Sequence, residues 1–213
     1  MSLIEGAAAG PVPAGSAAAG SDELAASPAA GLVVTGTVPY PWPWDGRFAA
    51  RRCALLVVTD GAPVGDAAVA GAVAALTARA VSAGVLAVRV VTGRPPGAVG
   101  GWTAGPTVTA AGWDGFYGSP LDSLLRAAGR AQLLLAGRLL ETGVHSTLRS
   151  ANDRGYECLT LGDACEAGSA ETGRGALSSI TMSGGIFGAI GRSADVLALL
   201  DAPSTSSAAD LRF

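Results

Sequence analysis

Cys53-Ala54-Leu55-Leu56-Val57-Val58 is an unbroken apolar run with no polar residue to turn toward water. That pattern belongs to a parallel strand covered on both faces, not to a half-exposed antiparallel one. Asp66 then stands where a helix cap is wanted. An Ala- and Val-rich stretch runs from it to about residue 83, Gly84 offers a stop, and residues 85–91 form a second β-rich run. Downstream the alternation continues. Ser119-Pro120 opens a helix in cap-then-proline order, Gly129 closes it, and residues 132–136 are again strand-like. A helix over 142–154 ends at Gly155, a strand follows over 156–161, and a last helix-strand-helix passage runs through Gly184-Gly185-Ile186-Phe187-Gly188 to residues 193–200. Strands alternating with helices through right-handed crossovers predict an α/β protein, a three-layer α/β/α sandwich around a mostly parallel sheet. Ligands of such sheets bind beyond the carboxyl ends of the strands, here near Thr59-Asp60, Gly93-Arg94 and residues 137–143.

The flanks read differently. Residues 1–31 are mostly Ala, Gly, Ser and Pro, too poor in large side chains to offset their ordering entropy, and are expected to be a flexible segment before the domain at 32–202. Residues 203–213 form a C-terminal tail. A chain of 213 residues, 49% hydrophobic, can bury one ordinary core. The net charge of −3 gives no basic field for nucleic acid and no charged block for a membrane surface. No window reaches the roughly 18 apolar residues of a membrane span, and the N-terminus lacks the features of a signal peptide. Cys53, Cys158 and Cys165 are odd in number and show no CxxC spacing, so the expected setting is cytoplasmic and reduced. No metal site and no cofactor are expected, since the one histidine has no carboxylate or thiolate cluster around it. The chain contains no lysine, and all 14 basic residues are arginine. No chemical step can use an ammonium side chain.

Four stretches carry a resemblance. They are Pro41-Trp42-Pro43-Trp44-Asp45-Gly46 ahead of Ala54-Leu55-Leu56-Val57-Val58; Asp114-Gly115-Phe116-Tyr117-Gly118-Ser119-Pro120-Leu121-Asp122; Val144-His145-Ser146-Thr147 through Ala151-Asn152-Asp153-Arg154-Gly155-Tyr156-Glu157-Cys158; and Gly184-Gly185-Ile186-Phe187-Gly188-Ala189. In order and spacing, over roughly residues 40 to 202, the chain resembles the isochorismatase-like cysteine hydrolases, and within them the biuret and ureidoacrylate amidohydrolase branch. The resemblance implies an Asp at the end of the first strand, a Lys six residues before the Phe of the segment around Phe116, and a Cys opening the helix after the fourth strand. Asp and Lys would activate the thiolate, and backbone N–H groups at the helix start would hold the oxyanion. Those positions fall here on Thr59, Ala110 and Gly143. Isochorismatases proper also resemble this chain in having Gly at the nucleophile position, but they keep the Asp and the Lys.

The candidate residues therefore form a reduced set. Asp60, one place after the expected carboxylate, and His145, in the first turn of the helix that Gly143 opens, are the candidate acid-base pair. For Asp60 the plain alternative is a cap on the loop Gly61-Ala62-Pro63, and for His145 it is packing or a subunit contact. Thr59, Ala110 and Gly143 would line the ancestral pocket with Trp113, Phe116 and Tyr117, all of which could equally be packing residues. Glu141 and Thr142 precede Gly143 in the segment expected to present free N–H donors. Arg94 could pair with a ligand carboxylate or lie solvated in a loop. Asp163 and residues 153–155 read as polar groups at element ends.

Two functions follow. One is a repurposed enzyme that performs a non-hydrolytic step, such as cyclisation, elimination or isomerisation, on a small apolar or aromatic metabolite. It expects a ligand-sized cavity lined by Asp60, Trp113, Phe116 and Gly143, and the pocket-flanking aromatics favour it. The other is a pseudoenzyme, a subunit or small-molecule-binding regulator of an active paralogue. It expects a closed pocket and an extensive apolar surface. Hydrolysis by water activated at Asp60 is a weaker third reading, because no cation near Asp60 is evident in the sequence. The resemblance also implies a homo-oligomer, a dimer or tetramer, or a hetero-oligomer with a paralogue, with the Gly184–Ala189 region and the Trp42–Asp45 arm as contacts.

Overall fold

A computed structural model describes residues 32–93 and 101–202. Six strands are joined in the order β3-β2-β1-β4-β5-β6, with β1 at Cys53–Thr59, β2 at Leu86–Val91, β3 at Thr107–Thr109, β4 at Gln132–Arg138, β5 at Glu157–Glu166 and β6 at Ala189–Gly191. Every pairing between them is parallel. The helices are α1 (Ala67–Ser82), α2 (Leu121–Ala127), α3 (His145–Asp153), α4 (Ala170–Met182) and α5 (Ser193–Asp201). The chain runs outward from β1 to β3, returns to the centre, and runs outward the other way from β4 to β6. The strand order therefore reverses between β1 and β4.

Two cores result from strand alternation. Leu56, Val58, Leu133 and Leu135 face Leu121 and Leu125 of α2, Leu148 and Ala151 of α3, and Ile180 of α4. Cys53, Leu55, Val57 and Leu134 face Leu76 and Ala80 of α1 and Val196 and Leu200 of α5. Residues 53–58 are buried along their whole length, as their uniformly apolar pattern requires. The arm before β1 crosses the second core. Trp42 is fully buried beside Phe48, and Val38 makes an antiparallel bridge to Ile190 that covers the outer edge at β6.

The caps account for most boundaries. Asp66 accepts from the backbone N–H groups of Ala68 and Val69 at the start of α1, and Gly84 and Gly155 follow helices with positive φ. Ser119 Oγ accepts from Leu121 N, with Pro120 at the cap itself, one residue from expectation. Three features depart from the sequence reading. The helix expected from residue 142 begins as a π-helical turn at Leu140–Val144 before α3. β5 continues to Glu166, well past residue 161, because β4 extends beside it through Gly137 and Arg138 and Asp163 is taken up by α5, whose Ser193 donates to it through both N and Oγ. The sequence reading did not bound α4 and β3. A reciprocal Ser169–Thr172 capping box marks the start of α4.

Candidate functional site

The point where strand order reverses is the natural crevice of such a sheet, and here it lies between the carboxyl ends of β1 and β4. The two strands approach so closely there that only glycine fits: a β-carbon on Gly137 would stand 1.9 Å from the Val58 carbonyl oxygen, and Gly137 has φ +128°. Arg138, the last residue of β4, sends its guanidinium across the gap. Its Nε lies 2.9 Å from Asp60 Oδ1 as an ion pair, while Nη1 donates to Pro63 O (2.8 Å) and lies 3.4 Å from Glu166 Oε2. Each of the three side chains is about four-fifths buried. Glu166 Oε1 in turn accepts from the N–H groups of Gly65 and Asp66 ahead of α1. A cation therefore does stand beside Asp60, contrary to the expectation from sequence. It was missed because Arg138 is 78 positions from Asp60 in sequence, and only the β1–β4 pairing joins them.

Asp60 is occupied twice over, since Oδ1 also accepts from Ala62 N (3.1 Å) in the loop-capping manner. Thr59 Oγ1 is likewise turned to its own loop, accepting from Gly61 N and donating to Ala62 O. On the other side of the crevice Leu139 has φ 58°, the one non-glycine residue with positive φ among those described. From it the π-helical turn leads into α3. Within that turn the N–H groups of Thr142 and Val144 donate to Leu139 O, and that of His145 donates to Leu140 and Thr142 carbonyls. These donors were expected to be free for an anion. They are spent on carbonyls of the turn itself: Thr142 N–H closes a three-residue bond to Leu139 O, and Val144 N–H a π-type, five-residue bond to the same oxygen.

Gly143 is buried and faces the ends of β1 and β2: a β-carbon there would stand 2.8 Å from Thr92 Oγ1 and 3.3 Å from Val58 Cγ1. Glu141 reaches away to α4, where Oε1 accepts from Gly168 N (2.9 Å) and lies 3.3 Å from Thr172 Oγ1. Thr142 Oγ1 donates to Leu139 O at 3.4 Å. Ala110 is buried at the end of β3. Trp113 lays its ring on Gly93, with ring carbons 2.7 Å from where a β-carbon would be, and is 45% exposed; Tyr117 is 65% exposed. Phe116 is a core residue stacked on Tyr156 (5.8 Å) with Arg154 over its face. Arg94 lies outside the described residues.

His145 turns toward the loop after α4. Its ring meets Phe187 edge-on at 6.4 Å, and Phe187 carries Arg149 on its face at 4.0 Å. Burial, with a smaller push from Arg149, lowers the pKa of its imidazole below the ordinary histidine value. The partners of His145 and of Asp60 do not overlap. Recesses of about 650, 570 and 320 Å³ lie elsewhere, and none of the three is lined by Asp60, Trp113, Phe116 or Gly143.

The three cysteines are free and buried. Burial raises the pKa of the Cys53 and Cys158 thiols far above the usual range and pushes Cys165 up to about 12, where Asp163 adds to the effect. None is a thiolate near neutral pH. Among the described residues no group of three or more His, Cys, Asp or Glu could hold a metal ion, and no helix is long and apolar enough to cross a membrane.

Comparison with known proteins gives a consistent relationship. The isochorismatase domain model matches residues 65–191. Over 76 residues, 36% of this chain and 40% of the relative, the chain is 36% identical to the uncharacterized isochorismatase family protein YecD of Escherichia coli O157:H7. It is 42% identical over 69 residues, 32% of this chain and 28% of the relative, to the ureidoacrylate amidohydrolase RutB of Methylorubrum extorquens. These alignments thus span less than half the length of either curated relative. A cysteine hydrolase from Pseudomonas syringae pv. phaseolicola superposes with TM-score 0.63 at 19% identity, covering 72% of this chain and 94% of that one, a likeness of fold.

Proposed function

We infer the role of this chain from one premise: it belongs to the isochorismatase family, whose domain model accounts for more than half of it. We propose that it is a non-hydrolytic member, acting as a binding or regulatory subunit. The observation that carries this reading is the crevice at the strand reversal. It is spanned by the Asp60–Arg138–Glu166 bridge and packed at Gly143 against Thr92 and Val58. A thioester mechanism needs an accessible low-pKa thiol, and the three thiols of the chain are buried with raised pKa values. It also needs open amide donors, and those of Thr142, Val144 and His145 are engaged within the turn.

The repurposed enzyme is a second reading because Trp113 and Tyr117 stand 45% and 65% exposed beside the β2 end, where a flat apolar metabolite could stack. It requires Asp60 to leave Arg138, since the Arg138 guanidinium and the Ala62 N–H already occupy Oδ1. Hydrolysis by water at Asp60 is weakened for the same reason. The subunit reading is supported by exposed apolar side chains away from the crevice, Val38 on the arm and Met182 at the end of α4.

Native mass spectrometry of the protein taken from its own host tests the choice. A stoichiometric complex with a cysteine-bearing homologue, with no small ligand bound, is the expected result. A homo-oligomer carrying a metabolite that Asp60→Asn fails to turn over would overturn it in favour of the enzyme.

A further inference from the structure

Glu157 opens β5 at its amino end, and the ten residues of that strand put it roughly 30 Å from the Arg138 bridge at the carboxyl end. Its Oε1 accepts from Tyr40 Oη (3.0 Å) and from Trp44 N (3.1 Å), so one carboxylate oxygen fixes both aromatic residues of the arm. The Tyr40 and Trp44 rings meet edge-to-face, with centroids 5.0 Å apart and planes at 82°. Gly185, at φ +102°, lies on the Tyr40 ring so closely that a β-carbon would be 2.9 Å from Cε1. Together with Gly184 and Ile186 these residues enclose a recess of about 320 Å³.

The recess is chemically specific. No described arginine forms an ion pair with Glu157; the pairs found use Asp201, Asp122, Asp60 and Glu166. Trp44 and Ile186 are each 72% exposed, so an aromatic face and an aliphatic side chain are left in water at its rim. Two perpendicular π systems and a carboxylate repel anions and give a neutral ligand nothing it could not find on any apolar surface. A cation wrapped in methyl groups satisfies all three at once: its charge meets the ring quadrupoles and the carboxylate, and its methyl groups cover Trp44 and Ile186. We propose that the Tyr40–Trp44–Glu157 recess is a binding site for a small organic cation of the alkylated-ammonium type, independent of whatever the strand-reversal crevice does.

The test is a titration of the full-length protein, labelled at its tryptophan indole nitrogens, followed by NMR at constant ionic strength. The probes are choline chloride and its neutral carbon isostere 3,3-dimethyl-1-butanol. Choline should move the Trp44 indole N–H signal saturably in the millimolar range, with the isostere at least tenfold weaker. Trp44→Ala should abolish the binding read on the remaining arm signals. Glu157→Gln keeps acceptors for Tyr40 and Trp44 and so preserves the arm, which an unchanged melting temperature confirms; it should weaken choline about tenfold. Equal binding of choline and the isostere would overturn the proposal by reducing the recess to an apolar patch. So would a Trp44 signal that ignores choline while shifting with protein concentration, because a second copy of the chain would then be its occupant.

Discussion

Adding one methyl group at Gly143 probes how full the crevice is. The new carbon would lie 2.8 Å from Thr92 Oγ1 and 3.3 Å from Val58 Cγ1, both on strand ends that cannot retreat without disturbing β1–β2 pairing. Gly143→Ala and Gly143→Cys are therefore expected to lose about 1–3 kcal/mol of stability by overpacking, read from denaturant melts, and the cysteine variant should gain no amide hydrolysis. A cysteine variant that folds as well as the parent and hydrolyses ureido substrates would show that the pocket is open. At Arg138, replacement by Met leaves Asp60 and Glu166 facing each other without their cation. A loss of about 1–2 kcal/mol is expected, below the cost for a fully buried pair because each side chain keeps some contact with water; an unchanged midpoint would mean that the bridge contributes nothing. Several identities at this site were legible in the sequence, including the capping role of Asp60. That Arg138 is its partner was not, since nothing local links residues 60 and 138.

At the scale of elements, α3 offers a pH test. The folded state holds the His145 imidazole below its ordinary value, chiefly through burial. The unfolded chain then binds the proton more readily. The contribution of His145 is fully present above about pH 6.5 and is lost as pH falls below that value toward the lower folded pKa. Stability measured between pH 7 and 5 should fall with a slope that His145→Asn reduces; an identical slope in the variant would remove histidine from the account. The start of α4 offers a second test. Ser169 accepts from Thr172 N, and Thr172 Oγ1 answers to Ser169 N. Ser169→Ala should cost about 1 kcal/mol, measured as a shift in urea midpoint, and leave α1 untouched. Caps at Asp66 and stops at Gly84 and Gly155 could be read from sequence because they act within a few residues. The far half of β5 could not, since its Gly162-Asp163 interruption is tolerated only through β4 on one side and α5 on the other.

For the molecule as a whole, two apolar layers against one parallel sheet place all three cysteines out of reach of solvent. In native protein, thiol titration with an aromatic disulfide should register fewer than one reactive group over an hour, and three after denaturation. Rapid labelling of the native form would contradict the burial. Local sequence was enough for the α/β class, the mostly parallel sheet, the family resemblance and the reading of Gly143 at the helix start, because strand patterning, caps and short motifs are properties of neighbouring residues. Three features came only with the folded chain: the crevice is bridged by an arginine from β4, the amides of Thr142, Val144 and His145 are engaged within the turn after Leu139, and Glu157 gathers two aromatic residues from an arm more than a hundred positions away. The bridge and the Glu157 cluster join distant parts of the chain, set by strand order and by the docking of the arm, and the turn takes its π-helical form where β4 hands over to α3, so no local pattern encodes them.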